Sequence, residues 1–238
     1  LVQLHGKIAR LYEKLFSENL VPYYETLYHH YKKSGSVKKS LYYLKKTIEK
    51  DIKQFSNENA LSLMDELLKM RISKSERTEY SLKKGELLRH IGRYESALGL
   101  YESLLENRGI AGKIKAEIIK NMGQALWAMG KYDDALKKYD DAFLISSSAG
   151  DEKHTAEILE KRGMVFYNKG DYKRATEEFR EALRHAKGEN ERTTSILSNL
   201  GLVLYRQGEY DKAMAHYLKS LKNAQATENL NDQALFLL

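Results

Sequence analysis

Four segments of the chain repeat one pattern of small, apolar and polar positions. Each has a Gly, a second Gly seven residues later, an aromatic two residues further, an Ala after three more and a closing aromatic after four more. Apolar positions three and four residues apart predict α-helices on both sides of the second Gly. The segments are GELLRHIGRYESALGLY from Gly85, GQALWAMGKYDDALKKY from Gly123, GMVFYNKGDYKRATEEF from Gly163 and GLVLYRQGEYDKAMAHY from Gly201.

The repeated pattern predicts a helical hairpin in each segment. The first Gly and the Ala are small residues where two antiparallel helices must approach closely. The second Gly allows the positive φ that ends the first helix, and Asp133 or Asp211 is placed to cap the second helix. Each hairpin has an apolar face that it cannot bury alone, so we expect the hairpins to stack into one continuous core.

The four segments resemble tetratricopeptide repeats over residues 74–227. The resemblance implies an all-α, right-handed solenoid of helical hairpins, with about thirteen helices over the whole chain. First glycines lie 38, 40 and 38 residues apart, whereas the usual repeat has about 34 residues. This spacing resembles the longer-helix subclass, which includes kinesin light chains and bacterial peptide-sensing regulators.

Residues 1–73 have the same helical periodicity, but their repeats are degenerate. Ile8, Leu11, Tyr12 and Leu15 fall at helical spacing. The residues His30, Tyr31, Gly35, Tyr43 and Leu44 resemble the tetratricopeptide arm of signalling ATPases. At the other end, residues 228–238 predict the start of a further helix. We therefore expect either a piece of a longer protein or an end that pairs with a partner chain.

Composition narrows the function classes. The chain of 238 residues has no Cys, which excludes disulfides, thiolate metal sites and cysteine nucleophiles. No apolar run is long enough to span a membrane, and we expect a cytoplasmic protein without a membrane partner. The net charge is +7. The stretch 32–53 contains eight Lys but only two acidic residues, Glu49 and Asp51. This Lys cluster is either a solvated helix surface or a weak polyanion-binding face.

No arrangement of residues predicts catalysis, a cofactor or a metal. His29 and His30 are adjacent, so they point in different directions on a helix. Glu86 with His90 and Glu181 with His185 are one turn apart, which is typical of surface electrostatics. No phosphate loop, dinucleotide fingerprint or nucleophile elbow is present. We expect a protein that is not an enzyme.

The first helices of the hairpins are expected to line a concave groove, which is the usual binding face of such arrays. The resemblance to kinesin-light-chain-like members implies that Asn121 and Asn199 hold the backbone of a peptide, although Lys161 occupies this position in the third repeat. Trp127, Tyr167 and Tyr205 share one repeat position. They form either an aromatic stripe on the groove or packing between neighbouring helices. The predicted binding residues are Asn121, Gln124, Trp127, Glu157, Glu160, Lys161, Tyr167, Asn199, Tyr205 and Arg206.

The sequence therefore predicts a protein–protein interaction module that binds a peptide or protein segment in its groove. The alternative is the sensor or regulatory arm of a larger nucleotide-switched ATPase or transcription regulator, in which further domains of the same chain are partners. A third hypothesis is polyanion binding through the Lys cluster, with nucleic acid as the partner.

Overall fold

The computed structural model describes residues 1–106 and 109–226. These residues form twelve α-helices and one short 3-10 helix, and they contain no strand. The all-α fold is thus confirmed. The predicted helix start at 228–238 lies outside the described residues. In chain order the helices are α1 Val2–Leu15, the 3-10 helix Val21–Tyr23, α2 Tyr24–Lys33, α3 Val37–Lys53, α4 Asn57–Lys69, α5 Lys74–His90, α6 Tyr94–Leu105, α7 Gly112–Ala128, α8 Tyr132–Ser148, α9 Glu152–Asn168, α10 Tyr172–His185, α11 Asn190–Arg206 and α12 Tyr210–Ala226.

The chain divides into two compact units. The first is Leu1–Arg93, with α1 to α5, and the second begins at Tyr94 and contains α6 to α12. The division falls between the two helices of the first repeated segment, whereas the sequence pattern changes at residues 73 and 74.

In the second unit, the last three repeated segments are the helical hairpins α7–α8, α9–α10 and α11–α12. Three residues join the two helices of each pair, which makes the helices antiparallel neighbours. The second Gly lies in each connection, and Gly130 and Gly170 have φ of 75° and 77°. Gly is favoured there because a side chain disfavours positive φ.

The first Gly of each hairpin lies against the closing aromatic of the second helix, as the pattern predicts. A Cβ added to Gly163 would lie 2.6 Å from a ring carbon of Phe179, and one added to Gly123 would lie 2.8 Å from the ring of Tyr139. Both rings are fully buried. The ring therefore fills the space that a side chain on the first helix would need.

Stacking of the hairpins depends on side chains that belong to two cores at once. Leu136 and Phe143 of α8 pack with Tyr139 in the core of their own hairpin. They also pack against the core of the next hairpin, which contains Leu159 and Phe179. The hairpins consequently share one apolar core, as expected of a helical-hairpin solenoid.

One predicted detail of the helix starts is wrong. Asp133 lies inside the first turn of α8, which has no side-chain cap, and its carboxylate pairs with Lys169 of the next hairpin. Asp211 likewise lies inside the first turn of α12. In the middle hairpin, Asp171 precedes the helix and accepts the backbone N–H of Arg174 at 3.0 Å. A side-chain cap needs the residue before the first helical one.

The first unit is organised around buried aromatic and aliphatic side chains. Leu27, Leu44, Ile48, Met64 and Leu67 are almost completely buried between its helices. At one edge, the carboxylate of Glu13 on α1 accepts the hydroxyl groups of Tyr31 at 2.7 Å and Tyr43 at 2.6 Å. The burial of these groups together with this hydrogen bonding raises the pKa of both tyrosines. Glu13 therefore fixes α1 to α2 and α3.

Candidate binding groove of the first helices

The first helices of the three complete hairpins lie next to one another, and α9 contacts both α7 and α11. Between α9 and α11 is a polar cleft of roughly 550 Å³. Its lining residues come from the first ten residues of α9, from the residue before α11 and from the first six residues of α11: Lys153, Glu157, Glu160, Lys161, Glu189, Asn190, Glu191, Arg192 and Ser195. We call the surface of α7, α9 and α11 with this cleft the groove.

A chain of opposite charges crosses the groove from one hairpin to the next. Lys120 of α7 is only 4% exposed, and its Nζ donates to Glu117 and to Glu157 of α9, both at 2.8 Å. The Arg192 guanidinium of α11 reaches Glu157 at 3.4 Å and Glu160 at 3.2 Å. Each first helix thus binds the next through a largely buried ion pair.

The cationic partners in this network determine the ionisation state of Glu157. Burial alone would raise the pKa of Glu157, but Lys120 and then Arg192 outweigh it, so the pKa of this carboxyl is lowered. Glu157 is therefore ionised at neutral pH. Charge-assisted hydrogen bonds from two cationic partners hold this carboxylate in place between α7 and α11.

Glu160 is the second fixed carboxylate of the cleft. It is 5% exposed, and it accepts the Ser195 hydroxyl at 2.6 Å, the Asn199 amide at 3.2 Å and the Arg192 guanidinium at 3.2 Å. Three donors from α11 therefore converge on one side chain of α9. This satisfies Glu160 internally and sets the distance between the two helices.

His154 lies at the N-terminal end of α9 between two carboxylates. Its Nε2 is 3.0 Å from Glu117 of α7, and its Nδ1 is 3.1 Å from Asp151. Asp151 also caps α9 by accepting the His154 backbone N–H at 3.1 Å. Burial raises the pKa of Asp151, but this N–H, then Lys113 and His154 itself, lower it overall.

The two asparagines of the predicted peptide grip differ in position. Asn121 is only 2% exposed, so a peptide in the groove would not reach its amide in this structure. Asn199 is half-buried, and its Nδ2 donates to Glu160. The side-chain oxygen of Asn199 can still accept a hydrogen bond. Of the two side chains, that of Asn199 is the more exposed.

Two of the three aromatic residues of the predicted stripe share one packing arrangement. Tyr167 packs 5.7 Å from the ring of Tyr172, the first residue of the next helix, and Tyr205 packs 5.3 Å from Tyr210 in the same way. Trp127 is half-buried and packs against the core of the second repeat. Tyr205 alone is open, at 54% exposed. Packing between helices thus accounts for most of the stripe.

The remaining predicted residues lie at the groove surface. Lys161 lines the cleft and is half-buried, and Gln124 is half-buried on α7. Arg206 is exposed at the end of α11, where its Nε donates to the Tyr167 hydroxyl at 3.0 Å. This hydrogen bond joins the third and fourth repeats and leaves the other guanidinium N–H groups available.

The sequence reasoning missed Arg192 and His154, which lie closer to the helix N-termini than the positions that it counted as groove-facing. It also did not select Ser195, which occupies the same repeat position as Glu157. A signal was present in the spacing. Arg192 follows Glu157 by 35 residues and Glu157 follows Lys120 by 37, so opposite charges recur at nearly one repeat length. Such recurrence is expected where neighbouring first helices touch.

The Lys cluster of residues 32–53 is partly neutralised within the first unit. Five of its eight lysines lie within ion-pair distance of a carboxylate: Lys32 with Glu66, Lys39 with Glu13, Lys45 with Glu76, Lys46 with Glu49 and Lys50 with Asp51. This pairing reduces the positive charge available to a polyanion.

In residues 1–106 and 109–226, no three His, Asp or Glu side chains come together in an arrangement that could hold a metal ion. None of the described helices is both long enough and apolar enough to cross a membrane.

Solved structures of helical-repeat proteins are similar to this chain. BtubC from P. vanneervenii has a TM-score of 0.67 at 19% identity, over 96% of this chain and 91% of that one. Aspartyl phosphate phosphatase F from Bacillus subtilis has a TM-score of 0.77 at 14% identity, over 89% and 58%. A Rap protein complexed with competence and sporulation factor has a TM-score of 0.72 at 19% identity, over 82% and 57%. This chain thus spans little more than half of the last two proteins. At these identities the likeness shows the fold.

Sequence comparison identifies the repeats directly. A search of curated protein sequences finds no match. One tetratricopeptide repeat model matches residues 115–188 and 155–226, and a second matches residues 56–109. Together these ranges cover well over half of the chain and include nearly all of the three complete hairpins. The chain belongs to the tetratricopeptide repeat family.

Proposed function

We propose that this chain is a protein-interaction module that binds a peptide or an extended protein segment along α7, α9 and α11. The observation that carries the proposal is the polar cleft between α9 and α11. Tyr205 and Arg206 are exposed further along α11, at its C-terminal end. Two similar structures support it, because each is a Rap protein solved with a bound partner: the Phr* peptide in one, competence and sporulation factor in the other. The module acts by binding, and we assign no catalytic role to it.

The groove residues have two roles in this proposal. Four residues hold the shape of the groove, because their polar atoms or rings already contact neighbouring helices: Glu157, Glu160, Trp127 and Tyr167. The contact residues are those with surface or hydrogen-bonding capacity left: Gln124, Lys161, Asn199, Tyr205 and Arg206. Asn121 is left out because it is buried.

The contact residues define the ligand. The Asn199 side-chain oxygen accepts a backbone N–H of the bound segment. The Nη groups of Arg206 offer two parallel N–H donors, a geometry that suits a carboxylate. Tyr205 adds an aromatic surface to the same end of the groove, and aromatic residues with a polar handle are enriched at binding hot spots. We expect an acidic side chain or terminal carboxylate next to an apolar residue.

Selection from a displayed library of random twelve-residue peptides tests the groove. Peptides enriched on the wild-type chain are synthesised and titrated against the Tyr205→Ala/Arg206→Glu variant. We expect these peptides to contain an acidic residue beside an apolar one, and their affinity for the variant to fall at least about tenfold.

The matched control is Leu144→Ala/Lys173→Glu, which changes an exposed apolar and an exposed basic residue on the second helices α8 and α10. It should bind the selected peptides like the wild type. If both variants keep wild-type affinity, or if both lose it equally, the groove is not the binding surface.

The hypothesis of a sensor arm in a nucleotide-switched ATPase is not favoured, because the similar structures are repeat proteins and none of those described here is an ATPase arm. The resemblance of residues 1–73 to such an arm stays a prediction, as do further domains of the same chain as partners. A cytoplasmic location is also part of the proposal, and fractionation of cells that produce the natural protein would test it.

A further inference from the structure

Helix α1 of the first unit has two apolar faces, and only one is covered. The covered face carries Gly6 and Ala9, which are buried, and Tyr12, whose ring lies 5.5 Å from that of Tyr23. Glu13 on the same side is held by Tyr31 and Tyr43. These contacts attach α1 firmly to the rest of the unit.

The second face is an apolar stripe open to solvent, which the sequence reasoning had not separated from the covered one. Leu1, Leu4, Leu11 and Leu15 are 95%, 55%, 52% and 64% exposed, and Ile8 between them is half-buried. The five side chains are spaced three, four, three and four residues apart. This is the spacing of a seam on which a second helix packs knobs into holes. We call these five residues the α1 stripe.

Two basic residues border the α1 stripe, and a third lies further round the helix. Lys7, Arg10 and Lys14 are exposed, and none of them has an ion-pair partner among the described residues. Lys7 and Lys14 lie directly beside the stripe, at the positions that pair with charges on a partner helix in a coiled coil. His5 and Tyr12 border the other side, where they pack against residues of α2 and the 3-10 helix. The charged border is therefore entirely positive.

We propose that the α1 stripe is the docking site of an amphipathic helix of another protein, with acidic residues along the side of its apolar seam that faces Lys7 and Lys14. Such a helix would cover Leu4, Leu11 and Leu15 and neutralise the basic border. Charge complementarity of this kind selects the partner and its orientation.

The same border argues against a second copy of this chain. Two copies would place Lys7 and Lys14 of one α1 opposite basic residues or the His5 and Tyr12 side of the other, and neither arrangement supplies a carboxylate. A lipid surface fits less well, because α1 is fixed to the unit by its other face and its stripe is narrow, whereas interfacial helices have a broad apolar face.

Two designed helical peptides of three heptads test the proposal with the full chain. Both have Leu and Ile at the seam positions, and they differ only in having Glu or Lys at all bordering positions. Fluorescence anisotropy is measured at low and at high salt. We expect the Glu peptide to bind about tenfold more tightly than the Lys peptide, and the difference to shrink with salt.

Two variants separate the apolar and charged parts. Leu11→Asn/Leu15→Asn should abolish binding of the Glu peptide, and Lys7→Glu/Lys14→Glu should reverse the preference between the peptides. Both changes are on exposed side chains, so circular dichroism should be unchanged, and Leu144→Asn in the second unit is the control that keeps wild-type binding.

Three results would overturn the proposal. The first is equal binding of the Glu and Lys peptides. The second is a concentration-dependent dimer in light scattering that the Leu11→Asn/Leu15→Asn change dissociates. The third is sedimentation of the chain with phosphatidylglycerol vesicles, without a preference between the two peptides. The proposed groove binding involves other residues in the other unit, so it can fail or succeed independently.

Discussion

Lys120 of α7 places its ammonium nitrogen 2.8 Å from a carboxylate oxygen of Glu157 on α9, although only 4% of this lysine is exposed. The pair joins the first helices of two successive repeats. A charge this deeply buried is stable only with a partner in good geometry. The pair therefore makes the alignment of the two hairpins specific, in addition to the apolar contacts of Leu136 and Phe143.

Replacing Lys120 by Met should lower the stability of the second unit by about 1–3 kcal/mol. The change leaves Glu157 with Arg192 alone at 3.4 Å, and Glu117 with His154. Urea unfolding followed by circular dichroism measures the loss, and hydrogen exchange of the α9 amides locates it. Lys137→Met is the control, because Lys137 is exposed on α8, and its effect should stay within about 0.5 kcal/mol. Equal effects of the two changes would mean that the buried pair does not stabilise the stacking.

Stability of the second unit should fall with pH below about 4.5, in part through Glu157. Its pKa in the folded chain is lowered from the ordinary 4.5, so the unfolded chain takes up the proton first as the pH falls. The contribution is complete above 4.5 and is lost as the pH falls through the lower folded pKa. Urea midpoints at pH 5.5 and 3.5 should differ less in Glu157→Gln than in the wild type. If exposed Glu177→Gln reduces the difference as much, Glu157 has no special role.

The same Gly→Ala change should have opposite effects at two positions. At Gly163 the new Cβ would lie 2.6 Å from the buried ring of Phe179, and we expect a loss of about 1–3 kcal/mol from overpacking. At Gly99, on the exposed side of α6, no atom lies within 4 Å, and Ala should stabilise the helix by about 0.5–1 kcal/mol. Urea unfolding of the two variants checks the signs. If Gly163→Ala leaves the free energy of unfolding unchanged, the two helices of this hairpin can move apart at this point without a loss of stability.

Asp171 and Asp211 should respond differently to replacement by Ala. Asp171 caps α10 by accepting the Arg174 N–H, and its loss should cost about 1 kcal/mol. Asp211 lies inside the first turn of α12, where only a weaker interaction with the helix dipole remains, and its replacement should cost less than about 0.5 kcal/mol. Hydrogen exchange at the first turns of α10 and α12 compares the two. Equal losses would contradict the assignment of the cap.

Most of the fold of residues 74–226 could be predicted from the sequence. The hairpins, the positive φ at Gly130 and Gly170, and the close approach of Gly163 to a second helix follow from local rules. A small residue at a helix contact, or a Gly with positive φ in a turn, is compatible with few local structures. Because these residues recur every 38–40 residues, the repeat can be identified from the sequence. The caps were less certain, because one residue decides whether an Asp lies before the helix or inside it.

The binding surface could be predicted only in part. Asn121 and Asn199 occupy equivalent positions in the repeat, yet one is buried and the other is at the groove. Arg192 has the largest number of ion pairs in the cleft, but nothing in its own segment distinguishes it from the other arginines of the chain. Two of its three partners, Glu157 and Glu160, belong to a helix 32 to 35 residues away.

The sequence by itself determined the helices, their pairing into hairpins and the family, because periodicity and small residues act within one repeat. Only the tertiary structure decided which face of each helix is covered. Leu11 and Leu15 of α1 have the same spacing as core residues, but they are exposed because no described helix lies over them. The physical reason is that periodicity defines the faces of a helix, whereas burial depends on how neighbouring helices stack against it.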